Sequence, residues 1–373
     1  MLHGKWGGRN EVRSIVGVSG KCAPEIPRVP PPPIAVRRAG RDDKRAHYLG
    51  FLSYPNPTLK NNIPDARFYG YDSLAGNFVT PSLFEGSKIA RFSTSGRLEQ
   101  SVTKNEYIKK ILQVKELLSA GEIYQLDYAI RFRKRFEGEP FALFLKLIEA
   151  NPTDFSAYLN CGGFQIISNS PERLFKVENG IIATQPIKGT VRKSGNFQFP
   201  ISNFQEKIND TNLRKLLESD KERAELDMIT DLERNDVGKI CEYGTLKLEK
   251  EREIMELQNL WHTYSEVRGK LRPDVGLDEI ISAMFPGGSI TGCPKKRAME
   301  YIELLEGMPR NIFTGSIGYI SNGKIDFSIA IRTAFVKNGY IEYWAGGGIV
   351  ADSDPAKEYE ECLLKAEKFL QLL

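Results

Sequence analysis

Residues 105–132, NEYIKKILQVKELLSAGEIYQLDYAIRF, change their hydrophobic period midway, and that change decides the fold class. Apolar residues at 107, 108, 111, 112, 114, 117 and 118 recur at helical spacing, which predicts an amphipathic helix ending near Gly121. From there the period drops to two. Tyr124, Leu126, Tyr128, Ile130 and Phe132 fall on one face of a strand, with Gln125, Asp127 and Arg131 on the other. Working outward, YLGFLSYP, GGFQIISNS, RLFKV, GIIATQPI, TGSIGYI, IDFSIAIRTAF and GYIEYWAGGGIV predict further strands. FALFLKLIEA and a long stretch at roughly 203–236 predict helices. FPGGSITGCPKKRAMEYIELLE predicts a glycine-rich loop feeding a helix, with Pro294 in its first turn. The last helix is predicted to start at Asp354 as N-cap and Pro355 as first helical residue. Strands mixed with long helices predict an α+β protein with large, mostly antiparallel β-sheets.

The chain has 373 residues, 41% of them hydrophobic and 27% charged, the balance of an ordinary globular protein. No apolar run approaches the ~20 residues of a membrane span, so no membrane role is expected. Five scattered cysteines without a CxxC pair predict free thiols in a reducing cytoplasm. The three histidines make a histidine-rich zinc site a poor expectation. Residues 1–45 carry ten Lys/Arg against four acids, whereas the remainder is slightly acidic. The basic balance is therefore a property of the first 45 residues, and no nucleic-acid partner is expected. Residues 1–45, basic and carrying the proline-rich VPPPPIAVRR, are predicted to be a poorly ordered N-terminal segment.

Several residues carry possible chemistry. Lys188 lies in TQPIKGTVRK, residues 184–193, at the end of an apolar strand. It is either a snorkelling lysine or a desolvated, nucleophilic amine. Glu222 and Glu225 share one helical face, as do Glu358 and Glu361. Such pairs are either solvated helix faces or, brought together, a carboxylate set for a hard cation such as Mg²⁺. Arg332 interrupts the apolar SIAIRTAF. It marks a sheet edge or holds a carboxylate by a bidentate contact. Glu172 is either a surface residue or a partly buried general acid. Gly346, Gly347 and Gly348, near the end of a strand, allow tight turns or close approach of backbone amides to an anion. No Walker loop or GxGxxG turn supports a nucleotide.

The ordered series GEIYQLDYAIRF, SNSPERLFKV, TQPIKGT, ESDKERAELDMITDLERNDVGKIC, WHTYSEVRG, FPGGSITGCPKKRAME, TGSIGY, DFSIAIRTA and AGGGIVADSDPAKEYEE resembles the chorismate-utilising enzymes. The resemblance implies two large, mostly antiparallel β-sheets packed together and flanked by helices. It also implies a catalytic domain over residues 101–373 and, in residues 46–100, a remnant of a larger N-terminal region. PIKGT is similar to the aminodeoxychorismate synthase branch; anthranilate synthases carry alanine where Lys188 stands. The implied reaction is Mg²⁺-dependent amination of chorismate at C4. Lys188 would be the nucleophile and Glu172 the acid. Glu225 and Glu361 would bind the metal, supported by Glu222 and Glu358. Arg332 and the amides of Gly346–Gly348 would hold a carboxylate, with Gly189, Thr190, His262 and Thr291 around the ring. Gln125 stands where water-adding relatives carry a lysine, which again points to amination. No GxCxG-like segment is present, so the resemblance implies ammonia from a glutamine amidotransferase (component II) subunit. The alternatives are an anthranilate synthase component I and a catalytically silent regulatory paralogue. Cys293 and Phe313 depart from the family's usual alanine and tyrosine.

Overall fold

The structure, a computed structural model, describes residues 2–5, 12–15, 47–59, 66–71, 91–151, 153–194, 209–256 and 260–373. It divides into two compact units, Met1–Glu172 with Pro286–Leu373, and Arg173–Phe285. Elements are numbered along the described chain.

The first unit is built on a wholly antiparallel sheet. Its strand order is β2 (Val12–Ile15), β1 (Leu2–Lys5), β7 (Phe155–Asn160), β8 (Gln165–Ser170), β17 (Thr333–Lys337), β18 (Tyr340–Ile349), β6 (Gln125–Gly138) and β14 (Gly292–Cys293). The strand β5 (Phe92–Gln100) also pairs with β6. A further antiparallel run comprises β16 (Lys324–Ile329), β15 (Ser316–Ser321), β3 (His47–Leu52) and β4 (Ala66–Tyr71).

The predicted apolar face of β6 is its core face. Leu126, Tyr128, Ile130 and Phe132 are buried there. The helix α1 (Lys104–Ser119) lays Tyr107, Ile111 and Val114 on that core, and α2 (Pro140–Ala150) adds Leu143, Phe144 and Leu147. The helix α7 (Pro355–Leu370) contributes Tyr359, Cys362, Ala366 and Phe369. Each large apolar side chain buried here contributes about 1.5–3 kcal/mol. Tyr124 departs from the predicted pattern: it precedes β6 and is exposed. Thr103 and Glu106 close a capping box at the start of α1. Asp354 caps α7 by accepting from the amides of Ala356 and Lys357, as predicted.

In the second unit β13 (Leu260–Lys270) is central. It pairs antiparallel with β10 (Ile181–Thr184), β11 (Ile187–Arg192) and β12 (Lys247–Glu256), while β9 (Arg173–Glu178) pairs with β10. Three helices complete the unit: α3 (Thr211–Glu218) and α4 (Asp220–Gly238) between β11 and β12, and α5 (Leu277–Met284) after β13. Leu213 and Leu216 of α3 pack on Trp261 of β13. The one long helix expected at roughly 203–236 is thus two, and 203–208 lie outside the described residues. The break is Ser219, whose backbone is extended at ψ 110 and whose hydroxyl accepts from the Glu222 amide at 3.3 Å. A serine that caps a new helix cannot also continue the old one.

The fold class is therefore α+β, antiparallel sheets flanked by helices, as the two periods predict. Apart from β1 and β2, the expectation for residues 1–45 falls outside the described residues. Cys161, Cys241, Cys293 and Cys362 are free thiols. Among the described residues, no helix is long and apolar enough to cross a membrane.

Candidate active site

Lys188 lies inside a strand, not at the end of one. The chain expected to turn after it continues as β11 to Arg192. The ladder pairs Lys188 with Thr263 and Thr190 with His262, with a bulge between them. The bulge residue is Gly189, at φ 72. A side chain there would face backbone strain, and its Cβ would meet Leu216 Cδ1 at 2.6 Å. The Thr263 hydroxyl donates to the Lys188 carbonyl at 2.5 Å, which pins the backbone of this half-buried lysine. Thr190 Oγ1 lies 2.7 Å from Nδ1 of the buried His262. Glu222, in the first turn of α4, brings Oε2 to 3.3 Å from the Cβ position of Gly189. Glu225, one turn on, is half-buried and stands 3.8 Å from the Lys221 ammonium. The second unit thus gathers Gly189, Thr190, His262 and Glu222 beside the backbone of Lys188.

In the first unit Glu172 follows β8. It is 8% exposed, so the surface reading is excluded. Its amide donates to Ser170 Oγ at 3.2 Å and its carbonyl accepts from the Ile329 amide at 3.0 Å. Ser289 Oγ donates to its Oε1 at 3.0 Å. Of the two sequence readings of Arg332, the sheet edge is ruled out. It sits in the turn between β16 and β17 at φ 49, and β17 is flanked by β8 and β18, so it is no sheet edge. Its guanidinium makes no ion pair or hydrogen bond with any described residue. Burial pushes its pKa down, while Tyr343 and Glu172 oppose that shift. A guanidinium so placed is available to an anionic ligand.

The three glycines of β18 each have a close neighbour, which is backbone at Gly346 and the end of a side chain at Gly347 and Gly348. A Cβ at Gly346 would lie 2.3 Å from the Tyr128 carbonyl. At Gly347 it would lie 3.1 Å from Lys365 Nζ, and at Gly348, 2.7 Å from Gln125 Nε2. Gln125 is 1% exposed, and among the described residues neither atom of its carboxamide has a hydrogen-bond partner. Thr291 is fully buried, with its hydroxyl on the Gly287 carbonyl at 2.9 Å. On α7, Glu358 is buried and Glu361 exposed, one turn apart. Lys365 bonds Glu361 at 2.8 Å and donates to the Gly346 carbonyl at 3.2 Å. Against the desolvation of these crowded surroundings, the Glu361 carboxylate raises the pKa of the Lys365 ammonium.

Among the described residues, no group of three or more His, Cys, Asp or Glu forms a self-contained metal cage. The candidate donors are all carboxylate oxygens, and a pair such as Glu358 and Glu361 fits Mg²⁺. That ion is commonly held by one or two carboxylates, completed by water and substrate oxygens.

Sequence reasoning missed two residues here. Lys365 had a signal, its i,i+4 spacing from Glu361. Ser289 had none, because its bond to Glu172 joins residues 117 positions apart.

A family model described as chorismate binding enzyme matches residues 84–371. The chain is 39% identical over 272 residues to anthranilate synthase component 1 of Aquifex aeolicus, covering 73% of this chain and 53% of that relative. It is also 39% identical over 283 residues to aminodeoxychorismate synthase component 1 of Salmonella typhimurium, covering 76% and 60% respectively. The chain thus spans less than two thirds of the length of these curated relatives. Among solved structures it is similar to anthranilate synthase component I of Streptococcus pneumoniae, with TM-score 0.73 and 28% identity over 86% of this chain and 80% of that one. The menaquinone-specific isochorismate synthase of Escherichia coli shares the fold at TM-score 0.69 and 18% identity, over 90% of this chain and 81% of that one.

Proposed function

The chain belongs to the chorismate-binding enzyme family, and from that premise we propose that it aminates chorismate at C4, giving 4-amino-4-deoxychorismate. The observation that carries the reading is Lys188 in PIKGT, half-buried in β11 with its backbone pinned by Thr263. Relatives named aminodeoxychorismate synthase component 1, at 35–39% identity, support it.

In the proposed reaction the neutral Lys188 amine attacks C2 of chorismate. The ring double bond shifts and the C4–O bond breaks. Glu172 gives its proton to the departing hydroxyl, which leaves as water. Ammonia then adds at C4, the double bond returns, and the C2–N bond to Lys188 breaks. Arg332 and the amides of Gly346–Gly348 hold a substrate carboxylate. Gly189, Thr190, His262 and Thr291 bound the ring. Glu225 and Glu361 would hold Mg²⁺, with Glu222 and Glu358 in support, and the bound ion would neutralise the charge of the ring carboxylate. Ammonia comes from a separate glutamine amidotransferase subunit, and the setting is cytoplasmic.

The second reading is an anthranilate synthase, since relatives of that name are equally identical. Product identity separates the two. The purified chain is mixed with chorismate, Mg²⁺ and ammonium, and the products are read by chromatography with mass detection. Aminodeoxychorismate, converted to p-aminobenzoate only when the corresponding lyase is added, supports the proposal. Anthranilate formed without lyase refutes it, and no turnover at all favours a silent regulatory paralogue.

A further inference from the structure

We propose that Ser289 is a positioning residue for the acid Glu172, an inference that rests on the functional reading above. Both side chains are buried, and the Ser289 hydroxyl donates to Glu172 Oε1 at 3.0 Å. The backbone of Glu172 is already fixed by Ser170 and Ile329. Through Oε1 the serine holds the plane of the carboxyl group.

The support for Ser289 is itself rigid. It sits in a single 3-10 turn, Gly288–Ile290. Arg310 Nη1 donates to the Ile290 carbonyl at 3.2 Å, and Thr291 Oγ1 donates to the Gly287 carbonyl at 2.9 Å. The turn is thereby anchored on both sides of the serine.

The energetic argument concerns change during the step. The C4–O bond breaks as the Glu172 proton moves to the departing hydroxyl. Water leaves and Glu172 becomes a carboxylate. A hydrogen bond to a carboxylate is roughly twice as strong as one to a neutral acid. The Ser289 bond thus strengthens as the proton departs, and only such strengthening lowers the barrier. Ser289 touches no reacting atom; it acts through Glu172.

The test measures kcat and KM for chorismate at saturating Mg²⁺ and ammonium. It compares the wild type, Ser289→Ala and Ser289→Thr, each with a thermal melt. Ser289→Ala is expected to lose about ten- to a hundredfold in kcat, the worth of one hydrogen bond to a charged group, with KM within about twofold. Ser289→Thr, which keeps the hydroxyl, is expected to recover most of that loss. An alanine variant with wild-type kcat, a loss confined to KM, or a threonine variant no better than alanine overturns the assignment. A wild type that makes no aminated product sinks the functional reading and this inference with it. An active wild type with an unimpaired alanine variant sinks the inference alone.

Discussion

A glycine is required at 189 because the strand carrying Lys188 bulges there, at a positive φ and against Leu216. The sequence PIKGT contains that requirement, yet Gly after Lys reads equally well as a turn. Only the pairing of β11 with β13 distinguishes a bulge from a strand end. Glu172 shows the same limit. Its neighbours Ser170, Ile329 and Ser289 come from three separate stretches, so no local pattern marks it as buried. Glu361 supplies the prediction at this scale. It is exposed and bonded to Lys365, so replacing it disturbs little of the core. Glu361→Gln is expected to raise the Mg²⁺ concentration for half-maximal activity by about tenfold or more, with the melting temperature nearly unchanged. An Mg²⁺ titration checks this; a superimposable curve removes Glu361 from the metal set.

At the scale of elements, two buried anchors decide stability. Asp210 is the N-cap of α3, accepting from the amides of Asn212 and Leu213. It also accepts from Ser194 N and from Trp261 Nε1 at 3.0 Å. Burial alone would raise its pKa, but the bonds from Trp261, Ser194 and Leu213 outweigh that and hold it below the ordinary carboxylate range. Because the folded pKa is depressed, the stabilisation is complete above the ordinary carboxylate pKa. It is lost as pH falls through the lower, folded value. Asp210→Ala removes a cap and strands the buried Trp261 donor, at a cost of about 2–4 kcal/mol near neutral pH. The deficit relative to wild type should shrink as the solution is acidified. Urea melts at several pH values check it, and a deficit that stays constant into acid contradicts the linkage.

Arg310 is the second anchor. It is fully buried and ties Glu306 of α6 (Lys295–Glu306) to the Ile290 and Asp127 carbonyls and the Thr314 hydroxyl. Arg310→Met leaves the Glu306 carboxylate uncompensated and is expected to cost about 3–5 kcal/mol. Denaturant unfolding measures it, and a loss under 1 kcal/mol would show that the pair is replaceable. Neither anchor was legible from the sequence. Arg310 sits in the polar-looking MPRNIF, and Asp210 in IND, just ahead of a helix predicted to start earlier.

At the scale of the whole molecule, the period-two strands and the capped helices of the first unit were readable directly, because one face of each meets an apolar core. The break at Ser219 and the turn at Arg332 were not: Ser219 caps a new helix from within a continuous helical pattern, and the Arg332 carbonyl accepts from the distant Asn169 amide. The family resemblance supplied the candidate roles, and the structure supplied the neighbours. The central claim is that Lys188 forms a covalent bond to the substrate ring. Its most direct test is intact-mass and peptide-mapping spectrometry of the chain incubated with chorismate and Mg²⁺ and with ammonium withheld. The account predicts an adduct equal to chorismate less one water, mapped to Lys188, absent from Lys188→Ala and discharged when ammonium is added. Amination proceeding at the wild-type rate in Lys188→Ala, with no adduct on the wild-type chain, would contradict it.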